Sequence, residues 1–402
     1  MRLLGLNNSY PPAAKGGYGE ICADVMSGLA RRGHEVAVLA CGERFAPLPG
    51  GPEEVIDGVR VSRVLDYVLA PWRRPAAGLR AVRHDAAVMR DALEGADAVL
   101  AWHCRGIVKT SLRMAHEAGV PVLYQLHDRW VLYERPGSLY VPWARLDRLG
   151  AHLPRELLGR AAAPRVELRA PRIDRDGVAC FVSRWLQEEH AGRGFRPRRA
   201  EVVPCGVDVA AFARPAPPAH PPVRLLFAGR IEPRKGIDVA IRALPGDPRL
   251  TLAVAGPVDD AAYLQRLREL AAGLGVGERV SWLGEVPRAR MPTLLGEHDV
   301  LVFPSTGVEA YALGLLEALA AGMLVVTSAP GGPREYLRDG ANALLHEPGD
   351  AAGLAECLRR LREEDGLAER LLAGAAATAA GISLDAVLDH LEEILQTAVA
   401  RR

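Results

Sequence analysis

The chain has 402 residues, with 50 Lys and Arg against 49 Asp and Glu, for a net charge of +1. That length exceeds one ordinary core and suits two domains, and the balanced charge excludes a strongly basic nucleic-acid binder. Six scattered cysteines form no C-x-x-C pair, so neither a zinc site nor a disulfide framework is expected, and free thiols in a reducing cytosol are.

Met1-Arg2-Leu3-Leu4-Gly5-Leu6 turns polar too soon for a signal peptide, and no apolar run is long enough to span a bilayer. A cytoplasmic protein is expected. Peripheral contact with the inner membrane face stays open, although the arginine-rich stretch from Arg155 to Arg199 reads as a solvated face broken by prolines and acids. Oligomeric state has no signature here.

In chain order, Arg2 to Leu6 reads as a first strand, followed by a loop with Pro11, Pro12, Gly16, Gly17 and Gly19. A helix is predicted over Ile21 to Arg32, with Val25, Met26, Leu29 and Ala30 at helical spacing and Gly33 as its stop. Further strands are predicted at Glu35 to Ala40, Ala98 to Trp102, Val120 to Leu126, Gly177 to Val182 and Glu201 to Val203. Proline density over Ala213 to Pro222 excludes helix and central strand and marks a connector. The expected domains are therefore 1–213 and 223–382, joined by a linker at 214–222.

After the connector the alternation restarts. Strands are predicted at Val223 to Ala228, Leu250 to Ala255, Val280 to Leu283, Val300 to Phe303, Leu324 to Thr327 and Ala343 to Leu345. Helices are predicted at Gly236 to Leu244, Tyr263 to Leu274 and from near Ala312 to Gly322. Ser383 can cap a last helix over 384–400, whose stripe of Val387, Leu391, Ile394 and Leu395 must pack on something; the first domain is the expected partner. Strands alternating with helices define an α/β protein with parallel sheets.

Ligands of such sheets bind beyond the carboxyl ends of the strands. Arg230 and Lys235 follow one strand in Ala228-Gly229-Arg230-Ile231-Glu232-Pro233-Arg234-Lys235-Gly236, where fixed positive charge suits a diphosphate. Lys235 and Lys15 are two of only three lysines among the 50 basic residues, and both precede glycine. A compact ammonium is not interchangeable with a guanidinium in a tight phosphate site. Glu309 and Glu317 stand eight residues apart after another strand, and acceptor-only carboxylates match vicinal sugar hydroxyls. The helix start between them offers N–H groups to a phosphate. A charge at Glu317, among Leu313, Leu316 and Leu319, needs a partner. Lys15-Gly16-Gly17-Tyr18-Gly19-Glu20 is a poor dinucleotide fingerprint, because Cys22 stands where the third glycine belongs.

These motifs, with Val203-Pro204-Cys205-Gly206-Val207-Asp208 and Gly331-Gly332-Pro333-Arg334-Glu335, resemble the retaining GT-B glycosyltransferases of family 4, also called glycosyltransferase group 1. The likeness runs along nearly the whole chain. It implies two Rossmann-like domains facing across a cleft and metal-independent glycosyl transfer from a nucleoside-diphosphate sugar to an acceptor hydroxyl, without any other cofactor. It implies that Arg230 and Lys235 hold the diphosphate, that Glu309 binds the donor sugar and that Glu317 binds the ribose. The base would lie near Leu283, with the Ala312 and Leu313 amides and the Gly16-Gly17 loop approaching the donor. His127 would contact the sugar near its reacting carbon, with Asp128 able to orient its imidazole or meet the acceptor. Tyr18, His103 and Asp128 are the acceptor-side candidates, with Cys104 beside them. One departure is Ala312, where the family carries glycine. The same residues also fit a GT-B epimerase or phosphorylase, or a non-catalytic sugar-nucleotide-binding subunit; donor, acceptor and linkage are not named by the sequence.

Overall fold

The computed structural model describes residues 1–12, 17–42, 52–66, 75–104, 106–107, 109–132, 177–213, 222–328 and 330–401. They divide into two compact units, Met1–Pro204 with Val387–Arg402, and Cys205–Ala386. The first unit thus ends ahead of the proline-rich connector, of which 214–221 lies outside the described residues. The reason is local. The Val207 backbone bridges Ser383, donating to the Ile382 carbonyl and accepting from the Leu384 N–H at 2.8 Å. This ties the stretch after Pro204 to the second unit before the prolines begin.

The first unit holds strands β1 (Arg2–Asn7), β2 (Glu35–Cys41), β3 (Glu53–Ile56), β4 (Val59–Leu65), β5 (Ala98–Ala101), β6 (Val122–Leu126), β7 (Val178–Phe181) and β8 (Ala200–Val202). Its described helices are α1 (Gly17–Arg31), α2 (Pro75–Leu93), α3 (Lys109–Glu117) and α4 (Arg184–Gly192). The sheet order is β3-β4-β2-β1-β5-β6-β7-β8. Every pair is parallel except β3 with β4. That hairpin escaped the sequence reading although it carries a signal. Asp57-Gly58 sits between Ile56 and Val59 with φ of 48° and 81°, the two positive angles a tight hairpin turn requires. The strands β5, β6 and β7 are buried at every position, so both sheet faces need cover, and helices supply it.

The second unit runs α5 (Val209–Phe212), β9 (Arg224–Ala228), α6 (Ile237–Ala243), β10 (Thr251–Ala255), α7 (Ala261–Gly273), β11 (Val280–Gly284), α8 (Met291–Gly296) and β12 (Val300–Phe303). It continues with α9 (Leu313–Ala320), β13 (Leu324–Thr327), β14 (Leu344–Leu345), α10 (Ala351–Glu363), α11 (Leu367–Gly381) and the start of α12 (Leu384–Ala400). Its all-parallel sheet has the order β11-β10-β9-β12-β13-β14. Leu225, Phe227, Val254, Val300, Val302 and Val326 pack under Ile237, Ile241, Leu354 and Leu358 of the flanking helices. Each such side chain, fully buried, contributes about 1.5–3 kcal/mol, which anchors the strand ends and so the loops beyond them. The six cysteines are buried, and none forms a disulfide. Among the described residues no helix is long and apolar enough to cross a membrane.

Candidate functional site

The chain order of the second sheet reverses between β9 and β12, so the loops leaving these two strands diverge and leave a crevice between them. Arg230 and Lys235 sit on one loop and Glu309 on the other. The two are laced together, because the Arg234 carbonyl accepts from the Thr306 and Gly307 N–H groups at 2.9 and 3.0 Å. Gly236, at φ +67°, lets the first loop turn into α6 hard against the second; a Cβ there would lie 2.0 Å from the Pro304 carbonyl oxygen.

The Lys235 ammonium donates to Glu309 Oε1 at 2.8 Å and lies 4.9 Å from the centre of the Phe303 ring. Ser305 Oγ donates to the same carboxylate oxygen at 2.7 Å. Both charged side chains are only 9% exposed. Burial pulls the Lys235 pKa below its ordinary value, and the Glu309 charge opposes that pull. Arg230 is more exposed, held by Asp259 at 2.9 Å and Glu232 at 3.0 Å. Glu317, buried on α9, has its counter-ion in Arg288, at 2.7 Å. Each cation of this crevice thus faces a carboxylate, and an anionic ligand can exchange places with it.

Between the two glutamates α9 begins at Leu313, and Ala312 precedes it at φ 64° and ψ 83°. A non-glycine residue in the left-handed region carries roughly 1–2 kcal/mol of strain. The Leu315 N–H donates to the Ala312 carbonyl at 3.1 Å, and the Leu313 and Gly314 N–H groups precede this first bond of the helix. Leu283, near the carboxyl end of β11, and Val258 and Val308, after β10 and β12, are each 42–43% exposed, so apolar surface borders the same sheet edge.

The first sheet reverses between β1 and β5, and a second cluster lies there. Asn8 and Asn7 follow and end β1, Trp102 and His103 follow β5, and His127 follows β6. Asn7 Oδ1 accepts from the His103 N–H at 3.3 Å, and Asn8 Oδ1 accepts from the Gly106 N–H at 3.0 Å. The Asn8 amide donates to His103 Nδ1 at 3.1 Å, which leaves the imidazole proton on Nε2, 3.7 Å from Asp128. The Tyr18 ring stacks on His103 at 4.7 Å, and its hydroxyl accepts from the His127 N–H at 3.1 Å. Enclosure by Tyr18 and Trp102 pushes the His127 imidazole down to about 3, so it is neutral.

Several expectations change on this geometry. Asp128 faces His103 rather than His127, and its other role is to accept from the Trp130 N–H at 2.6 Å. Cys104 is fully buried, its thiol donating to the Leu6 carbonyl. Gly17 opens α1 and is exposed, whereas Lys15 and Gly16 lie outside the described residues. Sequence reasoning missed Arg288, Ser305, Asn8, Trp102 and Tyr336. The need of Glu317 for a counter-ion was legible, but which of many arginines supplies it was not. One group with metal-ligand spacing among the described residues was also missed: Asp66, distant in sequence from the adjacent His84 and Asp85, brings a ligand atom within 4.8 Å of theirs.

Two family models match the chain, one described as glycosyltransferase family 4 over residues 15–211 and one as glycosyl transferases group 1 over residues 211–377. A D-inositol 3-phosphate glycosyltransferase of Thermomonospora curvata is 37% identical over 42% of this chain and 42% of its own length. A phosphatidyl-myo-inositol mannosyltransferase of Mycobacterium leprae is 33% identical over 56% of this chain and 59% of its own. The chain thus spans about half the length of the first curated relatives it matches. Among solved structures, Anabaena Alr3699/HepE in complex with UDP-glucose shares the fold at a TM-score of 0.73 and 20% identity, covering 99% of this chain and 100% of that one. Sucrose-phosphate synthase of Thermosynechococcus elongatus does so at 0.73 and 19%, covering all of both chains.

Proposed function

The chain belongs to the group 1, family 4 glycosyltransferases of GT-B fold, and from that premise we propose that it is a retaining, metal-independent enzyme moving a glycosyl group from a nucleoside-diphosphate sugar to an acceptor hydroxyl. The observation that carries this reading is the buried Lys235–Glu309 pair at the switch point of the second sheet, beside the start of α9. The reaction breaks the bond between the anomeric carbon and a diphosphate oxygen, so negative charge grows on the leaving group. Lys235, Arg230 and the first-turn amides at Leu313 meet that charge, in the role a metal ion takes elsewhere. Glu309, released from Lys235, accepts from donor-sugar hydroxyls, and Glu317 accepts from the ribose. The base lies against the exposed Leu283.

A leaving phosphate oxygen takes the acceptor proton as the new bond forms on the same face, so no separate protein base is needed. Tyr18, His103 and Asp128, gathered at the switch point of the first sheet, are proposed to meet the acceptor. His127, neutral at working pH, can give or take a hydrogen bond with a hydroxyl but cannot act as a cation for the diphosphate.

The test is a donor screen with EDTA present, following nucleoside diphosphate released from UDP-, GDP-, ADP- and dTDP-sugars. Release from one donor is expected, with Lys235→Ala and Glu309→Ala each lowering it by about 10²–10³-fold. No release together with no donor binding in calorimetry would remove the donor site. Conversion of the donor to an isomer would replace the transferase with an epimerase.

A further inference from the structure

The segment after β13 acts as a template for the loop that carries Glu309. The Glu309 N–H donates to the Pro330 carbonyl at 2.8 Å, and the Gly332 N–H donates to the Glu309 carbonyl at 2.9 Å. At the end of the same segment the Tyr336 hydroxyl donates to the Tyr311 carbonyl at 2.6 Å, with the Ala312 carbonyl at 3.5 Å and the two tyrosine rings 4.9 Å apart. Burial pushes the Tyr336 phenol well above its ordinary value, so it stays a donor. Tyr336 is itself held, because its carbonyl accepts from Asn342 Nδ2 at 2.8 Å, and that amide also donates to Thr378 at 2.7 Å.

We propose that Tyr336 is a positioning residue for the donor site, bracing the Tyr311 carbonyl so that the next residue, Ala312, holds the left-handed turn from which α9 starts. A methyl-bearing residue at φ 64° tends to relax toward negative φ, which would swing the Leu313 and Gly314 amides away from their present direction. The brace removes that freedom. Glycine adopts this angle without strain and has no such need. Ala312 and Tyr336 are therefore a matched pair, and the pair sets the aim of the helix start. The idea rests on the reading of that helix start as the phosphate-facing wall of the donor site.

A double-mutant cycle in the full chain tests it, with Tyr336→Phe, Ala312→Gly and both together. The readouts are ligand-free denaturation midpoints and the affinity for UDP, GDP and ADP by titration calorimetry. Tyr336→Phe alone is expected to weaken the preferred nucleotide about fivefold, the worth of one neutral hydrogen bond. With Ala312→Gly also present the loss should fall below about twofold, since the two sites are coupled. Equal loss in both backgrounds, or none in either, would overturn the brace, because a mere packing defect is indifferent to residue 312. If the wild-type chain binds no nucleotide, the donor reading fails, and additivity or coupling in the midpoints then decides the brace alone. Should Tyr336→Phe not fold, recovery on adding Ala312→Gly supports the proposal and no recovery counts against it.

Discussion

Lys235 and Glu309 form a buried ion pair at 2.8 Å. Removing Lys235 leaves the largely buried Glu309 charge with only Ser305 at 2.7 Å and Arg234 at 3.5 Å as partners. Lys235→Met is accordingly expected to cost about 3 kcal/mol in chemical denaturation, and adding Glu309→Gln should return more than half of it. A cost below about 1 kcal/mol would mean that solvent screens the pair. Three imidazoles make a second residue-scale prediction. His127 and His190 are held at about 3 and about 4 by burial, and His346 is also lowered. A native pKa below the unfolded 6.5 means the unfolded chain binds the extra proton, so these groups contribute stability that is complete above 6.5 and is lost as pH falls toward 4. Asp85, raised to about 6 by burial, has the opposite sign, stabilising in acid and losing that contribution as pH rises through 6. Three histidines against one aspartate favour a net acid loss. Thermal midpoints at pH 7.5 and 5 should separate in the wild type and converge in part in His127→Gln; an unchanged separation would show that His127 protonates freely in the native state.

Among the elements, the site is a product of loop crossing at strand ends. The β9 loop and the β12 loop could not share the crevice if the turn into α6 carried a side chain, since a Cβ at residue 236 would lie 2.0 Å from the Pro304 carbonyl oxygen at a positive φ. Gly236→Ala is therefore expected to destabilise the second unit by about 2 kcal/mol or more, combining backbone strain with overpacking. It should also weaken nucleoside-diphosphate binding by separating Lys235 from Glu309. Normal binding and stability in this variant would show that the two loops can move apart freely. The β3–β4 hairpin illustrates the same point at the other sheet, where two residues with positive φ decide a pairing that strand propensity alone leaves undetermined.

For the molecule as a whole, the chain closes on itself. From Val387 onward α12 belongs to the unit formed by the N-terminal residues. Gly28 of α1 leaves room for Leu388, whose Cδ1 would lie 2.5 Å from a Cβ there. Arg32 reaches Asp389 and Glu392 at 2.6 and 2.8 Å, and His34 reaches Glu392 at 2.6 Å. Leu388, Leu391, Leu395 and Ala398 are buried with Val387 and Ile394 beside them. At about 1.5–3 kcal/mol for each large apolar side chain, their loss rivals the whole stability of about 5–15 kcal/mol typical of a domain. A chain ending at residue 386 should therefore lose near-ultraviolet circular dichroism and cooperative unfolding in its first unit. A sharp, full-amplitude transition in that truncated protein would mean that α12 is dispensable.

Two parallel α/β units and most strand positions were legible in the sequence, because period, turn residues and short spacings are local and a buried strand admits few residue types; Arg230, Lys235, Glu309 and Glu317 were legible as candidates by their spacing. The compact units part at residue 204, ahead of the prolines that advertise a connector, because the Val207–Ser383 pairing that ties this stretch to the second unit is long-range. Ala312 was visible as a departure, but its left-handed angle and its brace from Tyr336 were not. Likewise, only the fold could choose Arg288 as the partner of Glu317, or place His103 between Asn8 and Asp128. Counter-ions and hydrogen-bond partners are selected by distance in space. Sequence patterning records which residues must be buried, and tertiary packing decides which of them meet.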